Sequence, residues 1–155
     1  MGIIKAIYNT KPKYLINDEE RSIVAIISYQ NQSFSGVASC CKPDKDFYSH
    51  KVGKRIALAR ARIAALKWIK KEAIFSYQVK TQAYKEACCF GEKKCNEVDP
   101  TGRFKKSIDK EIQRIEKLKT AIKKEELFLR EYIKDANYMI NIVKAHREKD
   151  KGKIN

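Results

Sequence analysis

Residues 33–67, SFSGVASCCKPDKDFYSHKVGKRIALARARIAALK, hold the change of period that decides the fold. In the first eight positions the side chains alternate as on a strand. Phe34, Gly36, Ala38 and Cys40 point one way, and Ser33, Ser35, Val37 and Ser39 point the other. Gly36 and Ala38 leave one face nearly bare, as a helix packed closely overhead or a ligand near the backbone would require. Lys42-Pro43-Asp44-Lys45-Asp46 is turn chemistry, and Asp46 or Ser49 can accept hydrogen bonds from the free amides of a following helix. From Val52 the spacing becomes four and three. Val52, Ile56, Ala59, Ile63, Leu66, Ala73, Tyr77, Tyr84 and Cys88 form one apolar seam, interrupted by Lys70 and by Lys80-Thr81. Continued to Cys89, such a helix is about 58 Å long.

Upstream of this stretch the chain reads as β. Ile3 to Tyr8 and Tyr14 to Ile16 are short apolar runs separated by Asn9, Thr10 and Pro12. Arg21 to Tyr29 is rich in β-branched residues and is followed by the turn Gln30-Asn31-Gln32. Downstream, Gly91, Asp99, Pro100 and Gly102 end the first helix, and Asp99 or Thr101 can cap a second. That helix has its own seam, Ile108, Ile112, Ile115, Ile122, Leu129, Ile133, Ala136, Ile140 and Val143, with Lys119 and Glu126 breaking it. The expectation is an α+β chain forming a single domain over residues 1–155. An antiparallel sheet (1–41) precedes a long helix (50–89), a reversal loop (90–102), a second long helix (103–147) and a charged tail (148–155). The two helices form an antiparallel, coiled-coil-like hairpin.

Lys and Arg number 34 against 19 Asp and Glu, a formal net charge of +15, which favours a phosphate-bearing partner. No apolar run is long enough to span a membrane, and MGIIKAIYNT lacks the core of a secretion signal, so a cytoplasmic location is expected. Cys40, Cys41, Cys88, Cys89 and Cys95 are odd in number and include two adjacent pairs, which suits reduced thiols better than a disulfide framework. Their spacing also lacks the C-x2-C arrangement of a zinc site, so no metal is expected. No phosphate-cradling glycine loop, dinucleotide fingerprint or metalloprotease helix is present, and a Cys41–His50 pair has no third group to orient it. The expectation is therefore binding without catalysis and without a cofactor.

Lys51, Lys54, Arg55, Arg60 and Arg62 crowd the first helix's start, where unpaired amides and arginine forks together suit a phosphate. At about 100° per residue, Arg60 lies beside the Ile56/Ile63 seam and Arg62 turns away from it. Arg60 is thus the expected site residue and Arg62 the expected solvated charge. Around the reversal, Phe90 and Phe104 with Arg103 and Arg114 outline a second candidate pocket, with aromatic surface for a base and arginine for a diphosphate.

Gly36-x-Ala38-x-Cys40, the turn residues from Pro43 to Phe47, and Val52-Gly53-x-x-x-Ala57-x-x-Arg60-Ala61, followed by two long helices, resemble the first described Thoeris anti-defence family of phage proteins. The resemblance implies a sponge. Such proteins capture, without cleaving it, the glycocyclic ADP-ribose signal made by bacterial TIR-domain enzymes, and some also hold cyclic di- or trinucleotides of CBASS-type defence. It further implies action in the infected host's cytoplasm and assembly into dimers and hexamers, with pockets between protomers. Arg21, Gln32, Gly36, Ala38 and Arg55 or Arg60 would serve a cyclic oligonucleotide. Arg103, Arg114, Asn96 and Phe90 or Phe104 would serve the glycocyclic signal.

A sponge must outcompete a receptor, and a nanomolar dissociation constant corresponds to about −12 kcal/mol. At about −0.3 kcal/mol per heavy atom, a nucleotide of roughly three dozen atoms must be engaged over nearly its whole surface. The alternative is a basic nucleic-acid-binding protein whose helical hairpin lies along phosphates. A third reading is a coiled-coil interaction protein kept soluble by its lysines.

Overall fold

The computed structural model describes residues 2–40, 49–89, 99 and 101–151. Helix α1 (Ile3–Asn9) precedes strands β1 (Lys13–Asn17), β2 (Ser22–Tyr29) and β3 (Gln32–Ser39), then helices α2 (His50–Cys89) and α3 (Arg103–Lys151). The strands form an antiparallel sheet in the order β1-β2-β3. The α+β layout expected from the sequence, a three-stranded sheet followed by two long helices, is the one observed.

The first apolar run is a correction. Ile3 to Tyr8 forms α1 instead of a strand, because Ile3/Ile7 and Ile4/Tyr8 also satisfy helical spacing and Ile7 becomes fully buried. Thr10 closes the helix, its amide donating to the Ile7 carbonyl and its hydroxyl to that of Ala6. Seven residues are too few for a helix to persist alone, so tertiary contacts hold it. The Tyr8 hydroxyl donates to Glu125 at 2.6 Å, and the Arg62 guanidinium lies 4.8 Å over the Tyr8 ring.

The β2–β3 hairpin turns through Gln30 and Asn31, both with positive φ (48° and 61°), the geometry of a two-residue primed turn. Ile23, Ala25, Ile27, Gly36 and Ala38 make the buried face of the sheet. The other face carries the cross-strand row Leu15, Val24 and Val37, with Leu15 and Val37 exposed.

Both long helices begin on caps within the ranges expected. The Val52 amide reaches the Ser49 hydroxyl at 3.4 Å, and the Phe104 and Lys105 amides donate to one Asp99 carboxylate oxygen at 3.0 and 3.1 Å. Residues 42–46, read as a turn, lie outside the described residues, as do Phe90 and Asn96.

The chain divides into two compact units, residues 1–65 with 123–155, and residues 66–122. In the first, α2 is buried at every second position from Ala57 to Ala65, which a helix shows only when flanked on opposite sides. One side meets the sheet so closely that a Cβ on Gly36 would stand 2.2 Å from the Ala57 carbonyl oxygen and 2.4 Å from the Ala61 nitrogen. The other side meets α3, running antiparallel: Arg55 reaches Phe128 and Tyr132, and Arg62 reaches Glu125.

In the second unit the helices have only each other among the described residues, with Leu66, Ile69, Ala73, Leu118 and Ile122 buried. Ser76 and Lys80 face Glu111, and Tyr84 stacks on Phe104 at 5.7 Å between ring centres. The buried residues of α3 meet the expected seam at Ile122 and otherwise stand one position before it. They are Glu111, Leu118, Ile122 and Glu125, which leaves Ile112 and Lys119 outside.

Candidate ligand-binding site

Helix α3 is longer than α2, 49 residues against 40, and the mismatch shapes the first unit. With Arg55 facing Phe128 and Tyr132, the start of α2 falls near residue 137 of α3. The apolar stripe of α3 therefore runs on beyond the end of its partner. Its residues Ile133, Ala136, Met139, Ile140 and Val143, together with Ala38 to Cys40 at the end of β3 and Val52, Gly53 and Ile56 of α2, line a half-open cavity of about 640 Å³. Arg60, Tyr132, Asp135 and Asn137 supply its main polar groups.

The position of Arg60 follows from strand register. Gln32 closes the hairpin opposite Tyr29, so residues 33, 35, 37 and 39 direct their peptide groups away from β2, at the sheet edge. Arg60 donates to the Val37 carbonyl, which orients its guanidinium at the cavity and satisfies an edge group. A guanidinium has five N–H donors, so the remaining ones are left for a ligand. No carboxylate pairs with Arg60 among the described residues.

Arg55 lies 5.2 Å over the Phe128 ring and 4.9 Å over Tyr132, rings that themselves stack 5.8 Å apart. This holds a flat cation beside Tyr132, a residue that lines the cavity. Arg21 adopts φ 50° at the end of the turn preceding β2, and its carbonyl accepts the Cys40 amide. The Arg21 Nη1 is buried with no hydrogen-bond partner among the described residues.

The other expected site residues separate. Gly36 lies under α2, so the close approach that its missing side chain permits is made by a helix. Gln32 is exposed at the opposite end of β3 from Ala38. Arg62, expected to be solvated, is three-quarters buried, with its Nη2 on the Tyr8 carbonyl at 3.3 Å and Glu125 at 3.9 Å. The reason is the sheet: packing both sides of α2 turns Arg62 toward α1 and α3.

In the second unit Arg103 is exposed at the start of α3, and Arg114 pairs with Glu111 at 3.4 Å. Eleven residues of helix, about 16 Å, separate these two arginines along α3. The Glu111 carboxyl is held below the usual glutamate range, chiefly by its hydrogen bond from Lys80 against the opposing effect of burial, with the Arg114 charge adding. Burial, reinforced by the hydrogen bond to Glu125, raises the Tyr8 phenol far above its ordinary value.

Tyr132, Asp135 and Asn137 were not singled out from the sequence. They flank the seam residues Ile133, Ala136 and Ile140, and the signal available was that this seam outruns the first helix. Cys89 is an exposed free thiol, and His50 bonds Asp18 at 2.6 Å. No group of three or more potential metal ligands occurs among the described residues, and none of their helices is long and apolar enough to cross a membrane. Compared with known proteins, the chain matches no family model, no curated protein and no solved structure.

Proposed function

We propose that this chain is a non-catalytic sponge for cyclic nucleotide immune signals, glycocyclic ADP-ribose first and cyclic di- and trinucleotides besides. It works in the cytoplasm of an infected bacterium and so silences Thoeris and CBASS-type defence. The observation that carries this reading is that Ala38 and Arg60, which the family resemblance ties to the pocket for cyclic oligonucleotides, line the same cavity. Its volume of about 640 Å³ is in the range of small-ligand sites. Apolar walls suit a base, and a guanidinium with spare donors suits a phosphate. Met139 is 58% exposed and Val143 38% exposed at the cavity, which supports a second copy of the chain closing over the ligand.

The test is stoichiometric capture. Protein in excess should deplete free glycocyclic ADP-ribose, and heat denaturation should return it intact. Undepleted ligand would sink the proposal, and a cleaved product would convert it to an enzyme. Arg60→Ala should abolish capture of a cyclic di- or trinucleotide, and Arg103→Ala that of glycocyclic ADP-ribose, each leaving the melting temperature within a few degrees. Native mass spectrometry should show a homo-oligomer.

The +15 charge favours the nucleic-acid reading as the second choice. Binding to duplex DNA that collapses between low and moderate salt, with no nucleotide capture, would establish it instead.

A further inference from the structure

The cavity holds an acid as well as a base. Asp135 lines it with Arg60, yet the two do not pair, and neither Asp135 nor Asn137 has a side-chain partner among the described residues. At about 100° per residue, Asp135 and Asn137 stand on opposite flanks of Ala136, one on each border of the apolar stripe that floors the cavity. A site built only to attract phosphate gains nothing from a carboxylate, which repels it. A carboxylate is an acceptor only, with two oxygens that can take two donors side by side. In a nucleotide, the group next to the phosphate that offers two adjacent donors is the ribose diol. The same pairing of an acidic side chain with sugar hydroxyls recurs at dinucleotide sites.

We infer that Asp135 is the sugar-reading residue of the cavity, accepting a hydrogen bond from a free ribose hydroxyl of a ligand whose phosphate sits at Arg60. This rests on the sponge reading and adds a selectivity to it: ribonucleotides with free hydroxyls over deoxy or fully substituted sugars. Asn137, across the stripe, faces the base, where an amide both donates and accepts. The apolar residues between them take the base's flat surface.

Calorimetric titration with ADP and with 2′,3′-dideoxy-ADP tests the inference. The wild-type protein should prefer ADP by about ten- to a hundred-fold, the range of hydrogen bonds to a charged acceptor. Asp135→Asn and Asp135→Ala should erase that preference by weakening ADP alone, whereas Arg60→Ala should weaken both ligands alike. Asp135 is exposed on a helix, so both variants should fold, which far-UV circular dichroism verifies. A protein that captures glycocyclic ADP-ribose but treats the two ADP forms equally, or Asp135 variants that lose both equally, overturns this inference and leaves the sponge standing. Failure of the capture itself removes both.

Discussion

The two units use the same kind of helix in opposite ways. In residues 1–65 with 123–155, α2 is packed on both sides, and its alanines at 57, 59, 61 and 65 are the side chains short enough to allow it. In residues 66–122 the helices pack on one side only, and the polar cluster of Ser76, Lys80, Glu111 and Arg114 lies within that seam. A heptad pattern reports that a helix has an apolar line. It does not report whether a second element covers the opposite face, and small residues at alternate positions are the trace that such an element leaves.

The largest test of this contrast is Gly36→Val. Its Cβ would enter backbone atoms of α2, which cannot yield as a flexible side chain does, so the first unit should lose about 3 kcal/mol or more. Hydrogen exchange should quicken first in residues 22–39 and 50–61. A variant as stable as wild type would contradict the two-sided packing. Tyr8→Phe removes only the hydroxyl that donates to Glu125, a residue 6% exposed, and should cost about 1–2 kcal/mol in urea denaturation. A neutral result would show that Arg62 alone satisfies Glu125.

The smallest effect is expected from Glu111→Gln. Lys80 and Arg114 are each one-third exposed, so solvent screening reduces the loss to about 1 kcal/mol. The Glu111 carboxyl is lowered in the folded protein, so its contribution is complete above the ordinary value of 4.5 and is lost as pH falls through the lower folded value. Acid unfolding should therefore be less steep in Glu111→Gln, and an unchanged profile would remove Glu111 from the acid response.

Much of this fold was legible as local chemistry. Alternation from Ser33 to Cys40, the Gln30–Asn31 turn and the Ser49 and Asp99 caps lie where their residue types put them, because each depends on neighbours a few positions away. Ile3 to Tyr8 was misread because five apolar residues in six fit either period. Apolar spacing alone traces the α3 seam through Ile112, Lys119 and Glu126, whereas the buried residues beside Ile122 are Glu111, Leu118 and Glu125. Those carboxylates are tolerated inside because Lys80 and Ser76 reach one, and Tyr8 and Arg62 the other. Both partnerships join residues more than thirty positions apart.

The cavity divides in the same way. Arg60 beside the seam, and the bare face at Gly36 and Ala38, were visible from helical and strand periodicity alone. That Gly36 faces a helix while Ala38 opens on a cavity is a matter of how far α2 extends over the sheet. The amino-acid sequence by itself determined the elements, their caps and the cationic start of α2, since spacing, turn chemistry and hydrogen-bonding capacity act within a few residues. Only the tertiary structure decided which arginine is paired and which is available, and it placed Tyr132, Asp135 and Asn137 opposite Arg60. Those outcomes depend on the difference in helix length and on a sheet approaching within van der Waals contact, and neither is encoded in any short stretch of chain.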